Sequence, residues 1–113
     1  MKQVQTISVK ELSEMATKMY DSFVKAVVDL EKKIMAVDAE MHVDEEQLLL
    51  ENGSRKASLW GINLYPGKFG TDDFITYESM INIRPRQNNQ SRNVESADIR
   101  AKIDNLVSEV VHE

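Results

Sequence analysis

The densest run of chemistry-bearing side chains in this sequence is Arg84-Pro85-Arg86-Gln87-Asn88-Asn89-Gln90-Ser91-Arg92. It holds three of the chain's five arginines, four side-chain amides and no acid. A guanidinium is a planar fork of donors matched to phosphate or carboxylate, and amides add neutral donors and acceptors. Arg84, Arg86, Asn88 and Arg92 are therefore the candidate anion-binding set, set between a strand and a helix N-terminus. The competing reading is a solvated connection whose arginines pair with the protein's own carboxylates, the commoner fate of a polar loop.

A second cluster is His42, Asp44 and Glu46, with Glu45 among them and Asp38 and Glu40 just upstream. Histidine among carboxylates suits a divalent metal or a general acid–base pair. The spacing is weak, because no His-Glu-x-x-His or paired-cysteine pattern accompanies it. Acids at Asp44 to Glu46 also have a structural use at the positive end of a short helix. Glu78 falls near Asn63 if their strands pair, and lines a cleft with His42 if the register allows, although an exposed cross-strand polar position is its plainer reading. Trp60 offers a stacking surface for a base or sugar, although burial is its plainer role. The six methionines fall mostly at apolar positions and read as core filling.

Other chemistries find no support. The chain has no Gly-x-Ser-x-Gly and no Gly-x-x-x-x-Gly-Lys string. Zero cysteines removes disulfides, thiol nucleophiles and thiolate metal sites. No cofactor is implied.

The elements that must position these residues follow from periodicity. Ser8 and Glu11 have capping-box spacing before a helix over 9–23, whose apolar stripe is Leu12, Met15, Ala16, Met19 and Phe23. The stretch 24–41 supports two readings. With period two, residues 24–31 and 34–38 form a hairpin turning at Lys32-Lys33. With a heptad period, Phe23, Val27, Leu30, Ile34, Val37 and Met41 form one helical stripe. The hairpin is preferred, because the segment is rich in β-branched residues and later strands need partners. A helix over 43–52 follows, with Asp44 as N-cap and Gly53 at the C′ position. Residues 59–64 and 74–83 read as an antiparallel pair of strands, the second with Ile75, Tyr77, Ile81 and Ile83 on one face. Pro85 ends that strand, and Ser96 caps a last helix over 97–111.

The expectation is thus one α+β domain over residues 1–113, in the order α-β-β-α-β-β-α, with a four-stranded, mainly antiparallel sheet covered by helices. Replacement of the first hairpin by a longer helix is the alternative. At 113 residues the core is small, which favours a homodimer.

Charge narrows the function classes. The chain has 14 basic and 19 acidic residues and a net charge of −5. The loop from Arg84 to Arg92 carries +3, so the rest sums to −8. A broad nucleic-acid-binding face is therefore disfavoured, while a local anion site is not. No apolar run is long enough to span a membrane, and Met1 to Gln5 lacks a signal-peptide core, so a cytoplasmic location is expected.

At Val24-Lys25-Ala26-Val27-Val28-Asp29, Leu59-Trp60-Gly61-Ile62-Asn63 and Ser79-Met80-Ile81-Asn82-Ile83-Arg84-Pro85 the chain resembles a family of short, uncharacterised prokaryotic proteins, a domain of unknown function. Glu40-Met41-His42-Val43-Asp44 belongs to the same resemblance. It implies a stand-alone protein of about this length and carries over no activity and no functional residue.

Three functions follow from the residues. First is a small soluble binding module whose Arg84–Arg92 loop takes a phosphate- or carboxylate-bearing ligand, a nucleotide or RNA among them. Second is a structural or regulatory protein-interaction partner. Third is a metal-assisted or acid–base enzyme around His42 and Asp44, with Glu78 as a further member.

Overall fold

The period-two reading of residues 24–37 is the one the chain adopts. In the computed structural model, which describes all 113 residues, the order is strand β1 (Lys2–Val4), strand β2 (Ile7–Ser8), helix α1 (Val9–Lys18), strands β3 (Val24–Asp29) and β4 (Ile34–Val37), helix α2 (His42–Glu51), strands β5 (Leu59–Leu64) and β6 (Ile75–Thr76), helix α3 (Ala97–Val110) and strand β7 (Val111–His112). The fold is α+β. Its main sheet has five strands in the order β1-β4-β3-β5-β6, with every neighbouring pair antiparallel. A separate parallel pair joins β2 to β7.

The β3–β4 turn needs no glycine, because Asp29 organises it. Its carboxylate accepts from the Glu31 and Lys32 backbone N–H groups at 2.9 and 3.0 Å and from Ser54 Oγ at 2.6 Å. An Asp side chain bonded to the backbone two and three residues on is a turn in its own right. Lys33 then takes the left-handed conformation, at φ 57°. This hairpin rules out the long-helix alternative.

The sheet exceeds the expected four strands. β1 adds an edge, pairing Lys2 with Val37 and Val4 with Met35. Two further corrections concern helices. α1 stops at Lys18 and not at Phe23, because Asp21 turns left-handed at φ 69° and releases Phe23 to stack on Tyr20, ring centroids 4.9 Å apart. α2 begins at His42, with Met41 as a cap lacking any side-chain bond, so Asp44 lies in the first turn and is not the N-cap. The other end signals hold. Ser8 accepts from Glu11 N, Ser96 accepts from Ile99 N, and Gly53 carries φ 95° just past α2.

The largest correction falls at residues 74–83. Only Ile75 and Thr76 pair with β5, and Met80–Asn82 is a short 3₁₀ turn. Asn82 explains the change. Its side-chain amide accepts from Gly61 N at 2.8 Å and donates to Gly61 O at 2.9 Å, which supplies the β5 edge with the two bonds a neighbouring strand would make. The expected single face divides: Ile75 and Tyr77 pack half-buried against one core cluster, Ile81 against another, and Ile83 is exposed.

Helices cover both faces of the sheet. On one, Val24, Ala26, Val28, Trp60, Ile62 and Leu64 pack with α1 and α3 in the main core. On the other, Val27, Ile34, Ala36 and Leu59 pack with Leu49 of α2 in a smaller cluster. Alternation along β3 and β5 puts Lys25, Gly61 and Asn63 on this second face. No helix is long and apolar enough to cross a membrane.

Candidate functional site

The anion-binding candidates do not converge. Arg84 is 7% exposed and turned inward. It donates to Ile81 O at 2.9 Å, to Lys56 O at 2.8 Å and to Glu46 Oε2 at 3.4 Å. Its guanidinium also lies 4.9 Å from the centre of the Trp60 ring. Burial draws its pKa down from the usual arginine value, and the Glu46 charge opposes that. Arg86 and Asn88 are exposed, with Asn88 left-handed at φ 60°. Asn89, not one of the candidates, ties the loop together by donating to the carbonyls of Asn82, Ser91 and Asn93. Arg92 is exposed and pairs loosely with Glu78 at 3.7 Å.

The metal candidates also separate. Glu46 faces Arg84, Asp44 is exposed, and His42 Nε2 lies 2.7 Å from Ile62 O. No three His, Asp or Glu side chains gather closely enough to hold a metal ion.

What the fold does assemble is a cleft of about 420 Å³ on the α2 side of the sheet. His42 at the start of α2, Lys25 of β3, Asn63 of β5, Glu78 and Arg92 supply its polar groups. Glu78 is exposed, as its plainer reading had it, and it also shares this cleft with Asn63 and His42. Each arrives for a local reason. Lys25 and Asn63 are register partners in the β3–β5 ladder, so their side chains leave the same face side by side. His42 is carried over β5 by the first turn of α2. Gly61 admits the opposite wall: a Cβ there would stand 2.5 Å from Ser79 Cβ, so only glycine lets the Ser79–Asn82 segment close against β5. Met41, Val43 and Met80 ring the cleft and are all more than half exposed. The methionines thus divide: Met15 and Met35 fill the core as expected, while Met1, Met41 and Met80 lie on the surface.

The electrostatics of the cleft are specific. A ring nitrogen 2.7 Å from a carbonyl oxygen must carry the proton, so His42 Nε2–H donates to Ile62 O. Burial, the largest influence, lowers the His42 pKa from 6.5; the Ile62 carbonyl opposes this and the Lys25 charge adds to it. His42 is accordingly neutral at pH 7, with an unprotonated Nδ1. Lys25 makes no ion pair and rests its ammonium 4.9 Å from the Tyr20 ring centre. Asn63 is 8% exposed, and its Nδ2 donates to Thr76 Oγ1 at 3.1 Å and Glu78 O at 3.0 Å. Since a backbone carbonyl only accepts, that bond fixes which amide atom is which. Asn63 Oδ1 is left buried with no donor.

Comparison with known proteins places the chain. The family model described as a protein of unknown function, DUF5674, matches residues 3–110. The chain belongs to that family. No curated protein and no solved structure gives a significant match. The strings that carried the resemblance now acquire positions. In this DUF5674 protein, Lys25, His42, Asn63 and Ser79 come from four of them and line one cleft.

Two members of this cleft escaped sequence reasoning, Lys25 and the open acceptor of Asn63. A signal existed. Lys25 is the one charge inside Val24–Val28, and Asn63 is the one polar residue in Leu59–Leu64. A polar residue in a strand covered on both faces needs a reason, and these two share one face.

Proposed function

We propose that the protein binds a small ligand in the cleft beside α2, and that this ligand brings a negative charge and a hydrogen-bond donor. The observation that carries the reading is Asn63 Oδ1, a buried acceptor without a donor, on the strand position next to the unpaired ammonium of Lys25. A buried acceptor left open costs about 1–3 kcal/mol, and a ligand N–H or O–H in that place removes the cost. Anion binding, first expected of the Arg84–Arg92 loop, thereby moves to Lys25, with Arg92 the one loop arginine that lines the cleft. Arg84 serves the fold instead, and Arg86 and Asn88 face solvent away from a converging site.

A second reading, acid–base chemistry at His42, is favoured by its Nδ1. The nitrogen is unprotonated and bonded to no protein group, in a cleft that also holds Glu78. The metal form of that reading has no support in the geometry. The homodimer also stands as a proposal, checked by light scattering at micromolar concentration, where a monomeric mass would remove it.

Amide chemical shifts under acetate and phosphate titration test the main reading. We expect shifts centred on Lys25, His42 and Asn63 in the wild type and their loss in Lys25→Met. Shifts confined to Arg86, Gln87 and Asn88, unchanged in that variant, would return the site to the loop.

A further inference from the structure

We infer that the ligand of this cleft is a free α-amino acid with an apolar side chain, an inference that rests on the binding reading above. Three features of the cleft ask for three different groups, and they stand around one small space. Lys25 is a half-buried cation without a carboxylate partner, so it calls for an anion. Asn63 Oδ1, buried beside it, calls for a donor. The rim of Met41, Val43 and Met80, exposed at 52, 51 and 63%, calls for apolar cover. An α-amino acid carries carboxylate, ammonium and side chain on a single carbon, which lets one molecule meet all three.

Charge separates this ligand from simpler ones. Lys25 and Arg92 against Glu78, with His42 neutral, leave the cleft at about +1. A phosphate dianion would overfill that charge and face Glu78. A plain carboxylate satisfies Lys25 and leaves Asn63 Oδ1 open. A plain amine meets Lys25 as a like charge. The zwitterion places its carboxylate at Lys25 and its ammonium toward Asn63 Oδ1 and Glu78. Glu78 can turn to that ammonium at little cost: its pair with Arg92 spans 3.7 Å with both side chains more than half exposed, and such surface pairs are weak. A volume of about 420 Å³ takes one amino acid with a bulky side chain, near the low end for small-molecule sites.

The test is a set of amide-shift titrations of the wild-type protein with L-leucine, glycine, L-leucinamide and 4-methylpentanoate, which is leucine without its amine. We expect L-leucine to shift Lys25, Asn63, Glu78 and Met80, and the other three to bind at least tenfold more weakly. Glu78→Gln changes an exposed side chain that no core contact needs. It should weaken L-leucine about tenfold without weakening 4-methylpentanoate, which loses no contact and meets a more positive cleft. If 4-methylpentanoate matches L-leucine, the ammonium is not read and the inference falls, while anion binding at Lys25 stands. If glycine matches L-leucine, the apolar part falls. If acetate, phosphate and all four compounds leave the cleft amides unmoved, this inference and the binding reading fall together.

Discussion

Gly61 shows how much one residue decides here. It lies mid-strand, where glycine is ordinarily a weakness, yet the Asn82 amide closes on both its backbone groups and Ser79 packs where a Cβ would point. An ideal Cβ at Gly61 meets Ser79 Oγ at 2.6 Å and Ile81 Cγ1 at 3.1 Å as well, so alanine forces the whole segment off the strand. Gly61→Ala should therefore lower stability by about 1–3 kcal/mol, the range for an overpacked site. It should also weaken ligand response, because Ser79 and Met80 form one side of the cleft. Urea denaturation measures the first effect. Wild-type stability in this variant would show that the Asn82 bridge does not hold the segment in place.

At the scale of an element, α2 buries a group that strands and loops around it do not neutralise. Glu45 is fully buried, its Oε2 accepts from Ala39 N at 3.2 Å, and its Oε1 has no partner. Burial, the largest influence, pushes its pKa from 4.5 up to about 10; the Ala39 N–H and Lys25 oppose the rise, and Asp38 adds to it. In the unfolded chain the carboxyl ionises near its ordinary value. Stability is therefore fullest below about pH 4.5 and is lost as pH climbs toward 10, since only the unfolded state releases the proton. Glu45→Gln keeps the shape of the protonated acid and removes that penalty. It should raise stability at pH 8 by roughly 1–3 kcal/mol and have almost no effect at pH 4.5. Thermal melts at the two pH values check the prediction, and an equal effect at both would contradict it. The same helix marks where sequence reading works and where it stops. Gly53 and the acids of the first turn place α2 well, because such end signals act within a few residues. The inward turn of Glu45 is set by packing on β3 and β4, which no local pattern encodes. Residues 74–83 fail for a related reason. Their alternation is a strand pattern, but the Asn82 side chain occupies the β5 edge at Gly61, where a second strand would pair.

For the whole molecule, the sheet order dictates where structure is firmest and hence what the cleft rests on. β3 is central, paired over six residues with β5 and three with β4, and both its faces are covered by helices. β1 is an exposed edge of three residues, and β2 with β7 forms a pair of only two residues each. This asymmetry was half legible beforehand. The β-branched run at 24–28 announces a buried strand, whereas Lys2–Val4 is too short and polar to announce anything. The site follows the same division. Lys25 and Asn63 stand on the two firmest strands, while Glu78, Met80 and Arg92 belong to segments held mainly by the amides of Asn82 and Asn89. Local opening should follow, with one wall of the cleft rigid and the other mobile. Native-state hydrogen exchange should find the slowest amides in Val24–Val28 and Trp60–Leu64, near the global unfolding limit. It should find exchange at least tenfold faster at Glu78–Ile81, and that exchange should slow when the cleft is filled. Equal protection on both walls in the free protein would mean that the cleft is preformed throughout, and that ligand binding requires no ordering of the Glu78–Arg92 side.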